Sequence, residues 1–380
     1  MKIIISIISE QLIPNYIFVK EIAKPNDNLI FISTRRMESK LKTIKEILSE
    51  SSFYYSEIIF DNDGDENNYT DMYSQIEEKL KNIFNSNSEI IANLTGGTKL
   101  MSITLKEVLE NNYPQSKFYY IPLPNNQIIP LEKNITIQNI GYRVSIKEYL
   151  KAYGINKFST SEPIETEEYT KTFFKIFKQL KVFHYEIIDK LRKYRNDRRK
   201  TPYLIKEIQD GISERPPVPN VKDLLDFIHF PLKEENKISC REIDFLTGGW
   251  FEEYAYYLIK TNLKPNDIEI NLRISATNNT NLNELDVVFT LGNKLFIIEC
   301  KTGIARQLDL NNIVYKATAL KDGILGKLGA NSYIFSLKKE EPNYTKIAKN
   351  MNITYCSEEY FISEEKQNEL FEDIKKKANN

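Results

Sequence analysis

From Met1 to about Leu131 the chain keeps one rhythm, a short apolar run followed by a longer stretch with helical spacing. Ile3 to Ile8, Asn28 to Ser33, Glu57 to Phe60, Glu89 to Leu94 and Lys117 to Pro122 read as strands. Asn15 to Ala23, Met37 to Leu48, Tyr69 to Phe84 and Lys99 to Asn111 read as the helices between them. A strand that must wait for a helix before the next strand cannot fold back as a hairpin. The strands therefore run parallel, and the helices cover both faces. In a sheet of this kind, ligands bind beyond the carboxyl ends of the strands. Those ends carry Ser9-Glu10-Gln11, Ser33-Thr34-Arg35-Arg36 and the run from Asn93 to Lys99, NLTGGTK.

The NLTGGTK run is the sharpest of the three. Two glycines at a strand-to-helix turn let backbone N–H groups approach a ligand, and a helix start favours negative charge. Thr95 and Thr98 add hydroxyls, and Lys99 adds a cation. The spacing is neither G-x-x-x-x-G-K-[ST] nor G-x-G-x-x-G, so NTP hydrolysis has little support. A tight turn with Thr98 as helix N-cap is the competing reading.

In the second half, Asn283 to Gly303 (NELDVVFTLGNKLFIIECKTG) reads as two strands meeting at a Gly-Asn turn. Glu299 and Lys301 lie two apart, so both side chains leave one face of the sheet. Asp286 sits near the start of the first strand, where hairpin pairing can bring it beside them. Two carboxylates and a lysine at a strand end form an oxygen-rich site suited to Mg²⁺ or Mn²⁺. The lysine can orient or deprotonate a water, or neutralise phosphate charge. A solvated face or a cross-strand ion pair is the plainer alternative. Against it, Leu295 to Ile298 is a continuous apolar run, typical of a strand buried on both faces. Ionisable groups at the exit of such a strand are costly unless used.

Upstream, a helix begins near Gly248-Gly249-Trp250 and runs to about Thr261, with Trp250, Tyr254, Tyr257 and Leu258 forming an apolar stripe. Glu252 falls just off that stripe, toward the sheet edge. Helix, hairpin with Asp and Glu-x-Lys, then helix resembles the PD-(D/E)xK nucleases, the restriction-endonuclease-like superfamily. The resemblance implies that Asp286 and Glu299 hold a divalent metal, Lys301 assists the water, and Glu252 completes the acidic cluster, with Glu253 as the alternative. The Pro of the family's name is absent, since Glu284-Leu285 precede Asp286. Asn311 and Tyr315 resemble a polar-x-x-x-Tyr feature beside the site in some relatives, and Lys316 follows.

A second resemblance lies in the first half. Ser9-x-Gln11-x-x-Pro14-Asn15 with Asn93-x-Thr95-Gly96-Gly97-Thr98-Lys99-x-Met101 is similar to the CARF domain, the Rossmann-like sensor of CRISPR systems. CARF followed by PD-(D/E)xK resembles the accessory nucleases of type III CRISPR–Cas immunity. The resemblance implies a homodimer cutting DNA, RNA or both, activated by cyclic oligoadenylate, with cyclic tetra-adenylate the expected ring. The implied ligand contacts are Ser9, Gln11, Asn15, Thr34, Thr95, Gly96, Gly97, Thr98 and Lys99. Competing expectations are a ligand-sensing regulator with an inactive nuclease-like domain, and a restriction or repair nuclease indifferent to cyclic nucleotides.

A chain of 380 residues, 41% hydrophobic, has the material for two domains with ordinary cores. The expected division is a sensor over 1–140, a helical connector over 141–240 and the nuclease over 241–380. In the connector, twelve Lys/Arg against three acids between Lys171 and Lys206 leave a local balance of +9, interleaved with Tyr185, Tyr194 and Tyr203. Such a stretch suits phosphate tracking, or is simply a solvated helix face. Arg215-Pro216-Pro217-Val218-Pro219 reads as a stiff link. Net charge is −1, so the whole-chain field selects no partner. Cys240, Cys300 and Cys356 are scattered, and with only His184 and His229 beside them no zinc site can be built. Isolated thiols suit a reducing cytoplasm. The apolar N-terminus ends in Glu10-Gln11 and reads as a buried strand rather than a signal peptide, and no segment is long enough to cross a bilayer.

Overall fold

The computed structural model describes residues 2–60, 67–84, 88–122, 126–179, 185–195, 202–209, 220–275, 282–302, 311–315 and 330–379. The first half has strands β1 (Lys2–Ile7), β2 (Asn28–Thr34), β3 (Tyr54–Phe60), β4 (Glu89–Asn93), β5 (Lys117–Tyr120), β6 (Gln127–Pro130) and β7 (Gln138–Asn139). Helices α1 (Ile13–Ile22), α2 (Glu38–Leu48), α3 (Tyr69–Ile83), α4 (Lys99–Asn112) and α5 (Ile146–Ala152) accompany them. The sheet order is β3-β2-β1-β4-β5-β6-β7, parallel from β3 to β5, with β6 and β7 added antiparallel. The rhythm of the sequence is thus realised as a Rossmann-like sheet, while β6 and β7 were not anticipated.

Alternation along β1 feeds two cores. Ile3, Ile5 and Ile7 pack with Met72, Ile76 and Leu80 of α3 and Met101, Leu105 and Val108 of α4. Ile4 faces the other way, among Tyr16, Ile17 and Leu41 of α1 and α2. Each fully buried isoleucine contributes on the order of 2 kcal/mol.

The second half continues with β8 (Lys157–Ser161), α6 (Glu167–Gln179), α7 (Tyr185–Arg195), β9 (Tyr203–Leu204), α8 (Ile205–Gln209), α9 (Val221–Phe227), β10 (Lys237–Ile238) and α10 (Cys240–Asp244). A π turn, Phe245–Gly249, leads into α11 (Trp250–Leu263). Then come β11 (Asp267–Ser275), β12 (Leu282–Leu291), β13 (Lys294–Lys301), β14 (Ala330–Ser336), α12 (Pro342–Asn350), β15 (Ile353–Cys356), α13 (Glu359–Ile362) and α14 (Glu364–Asn379). The second sheet runs β15-β14-β13-β12-β11-β8.

Two features depart from the expected division. β8 leaves the supposed connector to pair antiparallel with β11 at the edge of the second sheet. Its sequence, KFSTS, is short and polar, which is why no strand was read there. The two halves also share a core. Leu272, Ile274, Leu285, Val288, Leu295 and Ile297 of the second sheet pack in one cluster with Ile4, Leu29 and Tyr149 of the first half. Val287, Phe289, Phe296 and Ile298, the neighbours of Val288 and Ile297 along the strands, face α11 and α6 instead. β12 and β13 are therefore buried on both faces, as the apolar run predicts. The link from Arg215 to Pro219 lies outside the described residues.

Candidate active site

The β12–β13 hairpin sets the geometry. Gly292 and Asn293 both have positive φ, 58° and 60°, the two-residue turn whose twist matches paired strands. From that turn the register pairs Val287 with Ile298, which puts Asp286 across from Glu299. Asp286 Oδ2 accepts the Cys300 N–H at 2.7 Å. Lys301 Nζ lies 2.8 Å from Glu299 Oε1 and 3.5 Å from Asp286 Oδ2. The three side chains that the sequence singled out are brought together.

α11 supplies the third acid. Trp250, Phe251, Tyr254 and Leu258 fix its inner face, and Glu252 turns toward the sheet edge. Although the residue is partly exposed, its carboxyl lies deep in the cleft and is raised to about 8, by burial and by the charge of Asp286. Burial disfavours the Lys301 ammonium, but Asp286 and Glu299 outweigh this and hold it charged, its pKa above the ordinary lysine value. In this arrangement the lysine can donate but is a poor base. Among the described residues, no three acidic, histidine or cysteine side chains stand close enough to hold one metal ion together.

Glu253, the alternative acid, points elsewhere. It accepts backbone N–H groups from Ile164 and Glu165, fastening the entry to α6 onto α11. Asn311 and Tyr315 do not line the cleft, and Tyr315 is exposed. Lys316 lies outside the described residues.

The cleft holds about 1150 Å³ and mixes both signs of charge. Arg273 pairs with Glu284 at 3.2 Å on neighbouring strands. Arg195, at the end of α7, reaches in from the basic run and holds Asp244 at 2.9 Å. Sequence reasoning put Arg195 in a charged stretch without placing it in the cleft, and missed Asp244; the density of basic residues was the one available signal.

The other candidate residues gather at the edge of the first sheet. β2, β1 and β4 lie side by side and parallel, so the loops after Ile7, Thr34 and Asn93 leave the same edge. Strand order reverses between β1 and β4, where a doubly wound sheet opens a crevice. Ser9 Oγ donates to the Gln11 carbonyl at 3.2 Å. Thr95 Oγ1 donates to Asn93 Oδ1 at 2.6 Å and accepts the Ile121 N–H at 2.8 Å. Thr98 caps α4 by accepting the Met101 N–H. Gly97, Thr98 and Lys99 are exposed; Ser9, Gln11 and Thr34 are half-buried.

One expectation needs correction here, and one gains a structural reason. Asn15 is fully buried, its Nδ2 donating to the Ile7 carbonyl at 2.8 Å, so it braces the loop instead of facing a ligand. The glycines are needed first for packing on β1. A Cβ at Gly96 would stand 2.0 Å from the Ile7 oxygen, and one at Gly97 2.3 Å from Ile7 Cγ2, with φ at +75°.

Comparison with known proteins agrees with this layout. The family model for the Card1 CARF domain matches residues 3–149, and that for the Card1-like endonuclease domain matches residues 240–364. Protein VC1899 from Vibrio cholerae is similar in structure, with a TM-score of 0.76 and 18% identity, covering 100% of this chain and 99% of that one. Can2 from Sulfobacillus thermosulfidooxidans, solved with cyclic tetra-adenylate, gives a TM-score of 0.71 at 21% identity, covering 100% of both chains. A type III CRISPR defence DNA nuclease activated by cyclic oligoadenylate gives 0.53 at 14%, covering 93% of this chain and 48% of that one. Among curated proteins, none matches. With both domains matched in this order, the chain carries a Card1 CARF domain joined to a Card1-like endonuclease domain.

Proposed function

We propose that the chain is a metal-dependent nuclease of type III CRISPR defence, switched on by cyclic oligoadenylate and acting in the cytoplasm as a homodimer. One observation carries the reading: within a matched endonuclease domain, Asp286 and Glu299 flank Lys301 and Glu252 lines the same cleft, its pKa pushed up to about 8 by burial and by the charge of Asp286. All-oxygen donors with surplus negative charge fit a hard divalent cation, Mg²⁺ or Mn²⁺. Glu252, Asp286 and Glu299 would hold it. When bound, such an ion supplies Lewis acidity to the phosphodiester and activates the attacking water.

The chain's own groups do the rest. The Cys300 N–H fixes the Asp286 carboxylate. Lys301, charged between two acids, donates to a non-bridging phosphate oxygen or orients the water. At the sensor edge, exposed Thr98 and Lys99 at the start of α4, with Ser9, Gln11 and Thr34 opposite, offer donors to an anionic ring. A ring with two-fold symmetry suits a crevice shared by two copies. Ile103, one turn further along α4 and 59% exposed, fits such a face. Can2's ring makes cyclic tetra-adenylate the first ligand to try. In this reading, ligand binding favours a state in which the three acids close on one cation.

The test is cleavage of DNA and RNA by purified protein with Mn²⁺ or Mg²⁺, with and without cyclic tetra- or hexa-adenylate. Ligand-stimulated cleavage that Asp286→Ala and Glu299→Ala each reduce by roughly a hundredfold or more is expected. Cleavage indifferent to the ligand, or intact in both variants, refutes it.

A further inference from the structure

The basic run found in the sequence has two possible uses, and α7 decides for one of its residues. Ile187, Ile188 and Leu191 bury the inner face of α7 in the core around α10 and the π turn. That packing aims the last turn of the helix at the active-site cleft, where Arg192 and Arg195 share one wall system with Glu252, Asp286, Glu299 and Lys301.

The placement of Arg195 is built. Its Nε donates to Asp244 Oδ1 at 2.9 Å. Asp244 ends α10, whose start is fixed by a reciprocal capping box between Ser239 and Glu242. The π turn Phe245–Gly249 then connects Asp244 to Glu252. One short, capped segment therefore holds both the partner of Arg195 and an acid of the site. A guanidinium carries five N–H donors in a planar fork, and one carboxylate at Nε does not exhaust them. The side chain is 44% exposed on the cleft.

From this geometry we infer that Arg195 binds a phosphate oxygen of the nucleic-acid backbone beside the scissile bond, with Asp244 as its positioning residue. The inference rests on the nuclease reading for the identity of the substrate. A polyanion entering a cleft lined by Glu252, Asp286 and Glu299 needs cations that those acids do not already engage. Lys301 is already engaged by two of them, Asp286 and Glu299. Arg195, whose carboxylate partner Asp244 is not one of those acids, meets that need.

The test reads binding apart from cleavage. Full-length protein with Ca²⁺, with and without cyclic tetra-adenylate, is titrated with labelled single- and double-stranded DNA across a series of salt concentrations. Arg195→Ala should weaken binding about tenfold and reduce the slope of log affinity against log salt by about 1, independent of sequence. Arg195→Lys should recover the slope but only part of the affinity, and Asp244→Asn should weaken binding with the slope kept. Manganese affinity, measured calorimetrically on the same variants, should not change. An unchanged slope in Arg195→Ala, or a loss that follows manganese affinity, overturns the inference. Wild-type cleavage measured alongside reports on the nuclease reading separately, because the binding assay needs no turnover.

Discussion

Removing the charge of Glu252 separates what the cleft needs for folding from what it needs for chemistry. Its carboxyl is raised to about 8 by burial and by Asp286, so in metal-free protein it is a cost. Glu252→Gln should raise the metal-free thermal midpoint by a few degrees at alkaline pH. It should also abolish the rise expected of the wild type in saturating Mn²⁺, because a ligand held only by the folded state must stabilise it. Thermal shift with and without Mn²⁺ measures both, and a variant that still gains stability from Mn²⁺ removes Glu252 from the metal set. Glu165 is a second strained acid, raised to about 7 by burial and then by Glu253. Its folded-state pKa exceeds the free value, so the contribution to stability is complete at low pH and is lost as pH rises through 7. The thermal midpoint should therefore fall between about pH 5 and pH 8, and fall less in Glu165→Gln. Parallel pH curves for the two proteins contradict this.

The loop after β4 shows how an element is held and how far its sequence could be read. Gly97→Ala forces a Cβ into Ile7 at φ +75° and should cost about 1–3 kcal/mol. Asn15→Ala, losing a buried bond to the Ile7 carbonyl, should cost about 1–3 kcal/mol as well. Denaturant unfolding measures both, and a neutral Gly97→Ala would mean that the loop moves freely off β1. The turn itself was legible because glycine pairs announce backbone that other residues cannot adopt; its neighbour was not. Asn15 reads from the sequence as a polar residue near a ligand edge, and only its burial against β1 reveals a brace. The same holds for β8: a five-residue polar strand carries no period strong enough to stand out, and its partner, β11, lies about a hundred residues on.

At the scale of the whole molecule, the tip of the β12–β13 hairpin is docked on the first half. Asn293 Oδ1 accepts the Val144 N–H at 2.9 Å, and its Nδ2 donates to the Tyr142 carbonyl at 3.0 Å. Tyr142 in turn shares Glu148 with Tyr16 of α1, the helix that begins directly after the Ser9–Gln11 loop. A ligand that moves that loop thus acts on a bonded chain ending in the strands that carry Asp286 and Glu299. Asn293→Ala should leave cyclic tetra-adenylate affinity nearly intact while weakening ligand-stimulated cleavage several-fold. Ligand titration beside cleavage rates checks this, and full stimulation in the variant places the coupling elsewhere. The sequence alone determined the parallel sheet, the Gly-Asn hairpin and the facing of Asp286, Glu299 and Lys301, because side-chain period and turn stereochemistry act over a few neighbouring residues. Only the tertiary structure decided that Arg195 enters the cleft, that β8 closes the second sheet and that one core spans both halves. Those facts depend on which distant surfaces fit together once the loops are closed, and no local period encodes that.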